Sequence, residues 1–356
     1  MKYKQDWDRV QDRLTALWKG TLKGRPCISV VAPAGRKVEA PVRPEGLESF
    51  WTDPDWNVRR TRHQIETTWW GGESIPSCLL MCGWLQCLGG EPLYAEQTIW
   101  FKHLGMDFKR PPDFRMDTGN PSFRRHEAAY VALATAAGWD DFLVGQPCVL
   151  PANDLLSMLM STEDFLVALC DEPDWMQKAI VQGAQVQAAI RQHLADRIRS
   201  LHRFWYGCAG WMPFWAPEPF MATQSDVSCM LSPDMYEQFV VPELEVYGKV
   251  APWMWYHLDG GDARQHVPRL LSLPYLRVLQ YTPAPCEPPN GPGHLAFYRQ
   301  VQKAGKIVHI HLPPENVEPL VRELDPNLLM LHTWCRTVAE GEALLESADR
   351  WVCARG

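Results

Sequence analysis

Three features of the sequence together predict an α/β protein. The C-terminal half runs through five successive cycles of short apolar strand, turn and amphipathic helix. Its helix starts are marked by proline in the first turn. No linker or internal repeat divides the chain. The fold expected from these is a single (β/α)8 barrel of the TIM type over residues 1–356, with residues 1–24 as an N-terminal helical extension packed on it. Barrels of this length are ordinary as one unit, and a chain of this size buries enough apolar surface to fold without metal or disulfide staples.

The elements follow in order. An opening helix, Lys4 to Trp18, leads to a strand at Cys27 to Ala32, a loop rich in Pro and Gly, and a helix from Asn57 to Thr68. The stretch from Gly71 to Trp100 resembles a helix, followed by a strand at Gln97 to Phe101; Phe142 to Val149 reads as another strand. Apolar residues at 176, 179, 180, 184, 190, 194 and 198 repeat close to every 3.6 positions and make Glu172 to Ser200 a helix. The five strand candidates beyond it are His202 to Tyr206, Trp253 to His257, Leu276 to Tyr281, Ile307 to His311 and Leu328 to His332. Their helices are Pro233 to Val250, Asp262 to Leu271, Leu295 to Ala304, Pro314 to Leu324 and Val338 to Arg350. Ser232-Pro233 and Pro313-Pro314 mark two of the starts, and Gly305 ends one helix as a left-handed cap.

Composition removes several function classes. A net charge of −7 and broken basic runs (Arg59-Arg60 with Arg62, Arg197 with Arg199) argue against a nucleic-acid surface and read as solvated helix faces. No segment reaches the roughly 18 apolar residues of a membrane span, and the start is an amphipathic helix, so a cytoplasmic location is expected. The odd number of scattered cysteines, eleven, fits reduced thiols rather than a disulfide framework. No P-loop, dinucleotide glycine fingerprint or Gly-x-Ser-x-Gly elbow is present.

In barrels of this kind functional groups sit at the C-terminal ends of strands and in the loops that follow. That rule selects Tyr206, His257 and Asp259, Cys286 and Glu287, His309 and His311, and His332 and Cys335. His257 and Asp259 enter the turn Gly260-Gly261, and with Cys335 they compose a His, carboxylate and thiolate set suited to zinc. The alternative is structural: His257 hydrogen-bonded in the rim, Asp259 shaping the turn, Cys335 merely buried. His309 and His311 alternate along a strand and so share a face, either as proton donors and anion contacts or as a hydrogen-bonded structural pair. Asp226 lies in a long loop ahead of Ser232-Pro233, where functional residues gather. Asp154 and Asp171 adjoin helix starts and read as caps. Seventeen Trp residues supply both core and the walls of a cavity, with Tyr206, Trp255 and Trp334 expected at the substrate beside Glu287.

Several runs resemble the uroporphyrinogen decarboxylase superfamily: Asp226 through MLSPDMYEQFVVPELE, then WYHLDGGDARQHVPRLLSLPYLRVLQYTP, KAGKIVHIHLPPENVEPLV and HTWCRTVAEGEALLE. The likeness covers about the last 200 residues, with the N-terminal third matching in layout through GRPCISVVAPAGR and WWGGESIPSCLLMCGWLQCLGG. It implies the (β/α)8 fold and one of two activities. The superfamily's methyltransferases move methyl groups between corrinoid proteins and thiols, holding zinc with a His-x-Cys pair and a later Cys. His257, Asp259 and Cys335 fall on those positions, a hard carboxylate replacing one soft thiolate. The decarboxylases use an aspartate in the segment equivalent to Ile75 to Gly89, which here holds no aspartate, and arginines after the first strand, of which Arg36 remains.

The leading expectation is therefore a methyltransferase acting to or from a corrinoid or thiol acceptor. The metal would be held by His257, Asp259 and Cys335, and His257, His309, His311 and Asp226 would carry the chemistry. Arg36, Tyr206, Trp255, Glu287 and Trp334 would meet the substrate. A corrinoid-bearing partner protein and a homodimer follow from the resemblance. The alternatives are a lyase or decarboxylase acting on a carboxylated ring compound, with Arg36 and the histidines on its acid groups, and a barrel that binds a ligand without catalysis.

Overall fold

The computed structural model describes residues 1–80, 84–203 and 212–353. Its strands, in chain order, are β1 (Cys27–Pro33), β2 (Thr68–Gly72), β3 (Ser77–Cys78), β4 (Pro92–Tyr94), β5 (Ile99–Phe101), β6 (Leu143–Val144), β7 (Phe220–Gln224), β8 (Trp253–Asp259), β9 (Leu276–Thr282), β10 (Ile307–His311) and β11 (Leu329–Trp334). Seven form one sheet in the order β2-β1-β11-β10-β9-β8-β7. Only β2 runs antiparallel to its neighbour; the rest are parallel. A parallel pair, β3 with β6, and the hairpin β4-β5 stand apart from it in hydrogen bonding. The protein is thus a mixed α/β fold with a central parallel sheet, and among the described residues the backbone ladder does not close into a ring.

The five C-terminal helices predicted from the sequence form within a few residues of the expected bounds, several beginning as a 3-10 turn. The helix from Pro233 to Val250 carries a π turn, Tyr236–Val240, just ahead of Pro242, which has no N–H to give to the ladder. Three expectations need correction. Gly71 to Trp100 holds no α-helix among its described residues; its glycines and prolines break it into β2, β3, a 3-10 turn (Leu85–Leu88) and β4. The strand expected over Phe142 to Val149 shrinks to Leu143–Val144 because Pro147 interrupts it. Asp226 does not sit in a long irregular loop but directly after β7. The strand expected at His202 to Tyr206 falls mostly outside the described residues.

Two apolar clusters hold the fold. The larger lies between the sheet and the helices. The smaller gathers Cys27, Ile75, Leu143, Phe220, Trp255, Val278, Ile307 and Met330, mostly from the strands' amino-terminal ends, beneath Trp7, Val10, Leu14, Leu17 and Trp18 of the helix Trp7–Lys19. That helix is pinned by a buried ion network: Glu73 takes Arg13 Nε at 2.7 Å and Arg25 Nη1 at 2.6 Å, and also accepts from Ile28 N at 2.7 Å. Burial raises the cost of the Glu73 charge, but the two guanidinium groups more than offset it and hold its pKa below the usual carboxylate value. The opposite, carboxyl-terminal ends of the strands are left for polar side chains.

Among the described residues, no helix is long and apolar enough to cross a membrane.

Candidate metal centre and adjoining cavities

Register across the parallel strands builds a polar row. Gln224 of β7 pairs with His257 of β8, His257 with Gln280 of β9, and Gln280 with His309 of β10. Partners in register point to the same face, and residue i+2 shares it. Asp259 therefore stands above His257 at the strand end. The chain turns away there at Gly260, whose φ of +74° an L side chain rarely adopts, and Gly260 N donates to Thr282 O at 2.8 Å.

Asp226, His257 and Asp259 come together at this end, each offering a ligand atom within 4.8 Å of the others. Each is placed by a neighbour. His257 Nδ1 bonds Gln280 Oε1, and Gln280 Nε2 donates to Thr282 Oγ1 at 3.0 Å, which fixes the amide with its oxygen toward the ring. With Nδ1 as donor, the lone pair lies on Nε2, the atom a cation takes. Burial lowers the His257 pKa, against the pull of Gln280 and Asp259, and keeps the imidazole neutral.

Asp226 is set by Asp154, a residue read from sequence as a helix cap. Asp154 sits inside the helix Ala152–Met160, where its carboxylate accepts from Asp226 N and Val227 N, both at 3.1 Å, and from Gln224 Nε2 at 3.1 Å. Gln224 also donates to Asp226 Oδ2 at 2.7 Å. The start of that helix is in turn held by Glu243, wholly buried, which accepts from Ala152 N at 2.6 Å and Asn153 N at 3.0 Å. Asp226 is exposed to the cavity described below, with protein atoms crowding the other sides of its carboxylate. Loss of bulk water, then the charges of Asp154 and Asp259, push its pKa well above the carboxylate range. Asp226, His257 and Asp259 are thus the residues that could hold a cation, with Asp154 engaged in placing Asp226.

The other expected site residues are distributed as follows. Cys335 is outside the group: β11 ends at Trp334, and Cys335 turns into the main apolar cluster, 2% exposed, its N–H donating to Val31 O at 2.9 Å. Asp226 stands where the expected third ligand would be. Burial raises the Cys335 thiol pKa. His309 and Trp255 are both inside the sheet, Trp255 Nε1 donating to His309 Nδ1 at 3.1 Å, and burial drives the His309 pKa down to about 3. His332 lies beside His311 and shares a 2.8 Å hydrogen bond with Ser29 Oγ. Arg36 is exposed on the segment after β1, and Tyr206 lies outside the described residues.

Two cavities flank the group. One, of about 670 Å³, is bounded by Asp154, Gln224 and Asp226 on one side and by Trp100, Phe101 and Met158 on another. The second, of about 480 Å³, collects His311, Glu287 and Trp334, three residues expected at the substrate, with Thr282 on the side of Asp259. Glu287 there is already engaged, accepting from Ala284 N and Tyr281 Oη at 2.8 Å and facing Arg264 at 3.4 Å.

No protein-family model matches the chain, and no curated protein matches it. Among solved structures it is similar to a methyltransferase from Methanosarcina mazei, with a TM-score of 0.58 at 12% identity over 96% of this chain and 98% of that one. At that identity the likeness concerns the fold.

Proposed function

We propose that the chain is a cation-dependent methyltransferase, moving a methyl group between a small molecule and a corrinoid or thiol acceptor. The observation that carries this reading is the grouping of Asp226, His257 and Asp259 at the carboxyl ends of parallel strands between two cavities. The likeness to a methyltransferase over nearly the whole of both chains supports methyl transfer as the reaction. We further take the sheet to close as a (β/α)8 barrel formed by β1, β3 and β6 to β11. Two contacts favour closure: the apolar cluster shared by seven of these strands and by Ile75 just ahead of β3, and Gln146 Nε2, just beyond β6, donating to Phe220 O of β7 at 3.1 Å.

The donor set fits a divalent cation. One neutral imidazole and two carboxylates suit zinc or manganese, and no thiolate is part of the group. Bound there, the ion supplies Lewis acidity to a ligand heteroatom. The remaining work belongs to the chain. Asp226 and Asp259 set the charge of the site, Gln280 orients His257, and Asp154 fixes the turn that presents Asp226. In the transfer itself the carbon–heteroatom bond breaks with its electron pair going to the heteroatom, which takes a proton. The nucleophile's pair forms the new bond to carbon.

The test is methyl transfer to reduced cobalamin or to a thiol, followed by absorbance and product mass with zinc or manganese supplied. Activity that depends on the ion and is lost in His257→Ala supports the reading. Full activity in the presence of a chelator would overturn it.

A further inference from the structure

The larger cavity differs in chemistry from a site built for an acidic substrate. None of its described lining residues is Lys or Arg; the only group there able to become a cation is His103, at the surface. One wall is mainly apolar, made by Trp100 and Phe101 of the β4-β5 hairpin with Leu150 and Met158 and interrupted only by the hydroxyls of Ser157, Ser161 and Thr162, while Leu93, Trp100 and Met230 stand exposed. Its carboxylates are gathered together, Asp154 and Asp226 being joined through Gln224. At about 670 Å³ it lies in the size range of pockets that enclose a whole small molecule.

We propose that this cavity seats an uncharged, mainly apolar molecule with a single polar atom directed at Asp226, and that it rejects molecules bearing carboxylates at both ends. A monopolar ligand leaves its apolar body against Trp100, Phe101 and Met158, where burial is favourable and no polar group is stranded. A molecule acidic at both ends must set one carboxylate beside Asp154 and Asp226 and the other against that wall, with no Lys or Arg among the described lining residues to pair either. The inference rests on the proposed methyl-transfer site only for the direction of the ligand's polar atom. It assigns the substrate class, and it separates this chain from enzymes that grip polycarboxylated rings with arginine.

The test is ligand-observed saturation-transfer NMR on the full chain, with and without zinc, using anisole as the monopolar probe and terephthalate as the dicarboxylate. Without zinc, anisole is expected to bind at least about 30-fold more tightly than terephthalate; bound zinc pairs one carboxylate of terephthalate and narrows the contrast without abolishing it, the second carboxylate still meeting the apolar wall. A Met158→Arg variant, at a partly exposed lining position, is expected to weaken anisole and strengthen terephthalate, a gain that a misfolded chain does not give. Equal binding of the two probes by the native chain, or anisole binding untouched by Met158→Arg, overturns the proposal. Zinc that fails to bind while the probe contrast persists counts against the metal centre and leaves this inference standing; the reverse result separates them in the other direction.

Discussion

Glu243 ties the helix Ala152–Met160, and through Asp154 the site, to the helix Val241–Val250, and its removal has a calculable cost. Ala152 N and Asn153 N, both at buried residues, lose their acceptor in Glu243→Ala. An unpaired buried N–H costs about 1–3 kcal/mol, and water reaching the vacated space returns part of that, so a loss of about 3 kcal/mol is expected. The charge adds a dependence on pH. Burial, then the nearby Asp154, outweighs the hydrogen bonds to Glu243 and raises its pKa from 4.5 to about 7. A folded pKa above the unfolded one means that this contribution to stability is complete below pH 4.5 and fades as pH rises through 7. At about 1.4 kcal/mol per pKa unit, the term is worth about 3 kcal/mol across that window. Urea unfolding midpoints for native, Glu243→Ala and Glu243→Gln chains at pH 5 and pH 8 measure both effects. Glu243→Ala should lose about 3 kcal/mol at pH 5, and Glu243→Gln, which cannot ionise, should lose ground to the native chain at pH 5 and recover it at pH 8. A Glu243→Ala chain within about 0.5 kcal/mol of native, or identical pH slopes for the native and Gln chains, would refute the reasoning.

Two further outcomes are expected. His202, His309 and His332 are held neutral by burial, with pKa values lowered from 6.5 to about 4, 3 and 4. Their contribution is complete above pH 6.5 and is lost as pH falls towards those values, so His309→Gln should flatten the acid limb of a stability profile by about 3 kcal/mol at pH 4.5. Replacing Gln280 by Leu removes the partner that orients His257. Cation affinity by calorimetry should fall about 10–100-fold and stability by about 1–3 kcal/mol, the buried His257 Nδ1 having lost its acceptor, and Gln280→Glu, which keeps an acceptor at the same place, should restore the affinity.

The C-terminal strands were legible because parallel strands buried on both faces read as short apolar runs bounded by turns and helices, and β8 to β11 stand close to where that pattern put them. β7 was missed because prolines at 213, 217 and 219 crowd its start and make the whole stretch look like a loop. His257 and Asp259 were found from their place at a strand end, and the structure sets Asp226 beside them. Cys335 was selected by the same rule, but the rule does not say which way the chain turns after a strand, and it turns inward here. Asp154 was read only as a helix cap, because it adjoins a helix start, and Glu243 went unread because it lies within a helix, where a carboxylate is ordinarily solvated. A signal did exist for Asp154: Leu155, Leu156, Met158, Leu159 and Met160 crowd the run Ala152–Met160, so a carboxylate there has little water to face and needs partners, and in the structure every residue of that helix but Met158 is buried.

Calorimetric titration with zinc, on the native chain and on Asp226→Asn, His257→Ala and Cys335→Ala, bears most directly on the metal centre. One ion per chain is expected for the native protein, with affinity reduced at least about tenfold in Asp226→Asn and His257→Ala and unchanged in Cys335→Ala. A native chain that takes up no ion, or binding that survives Asp226→Asn and disappears in Cys335→Ala, would contradict the assignment of Asp226, His257 and Asp259 as the ligands.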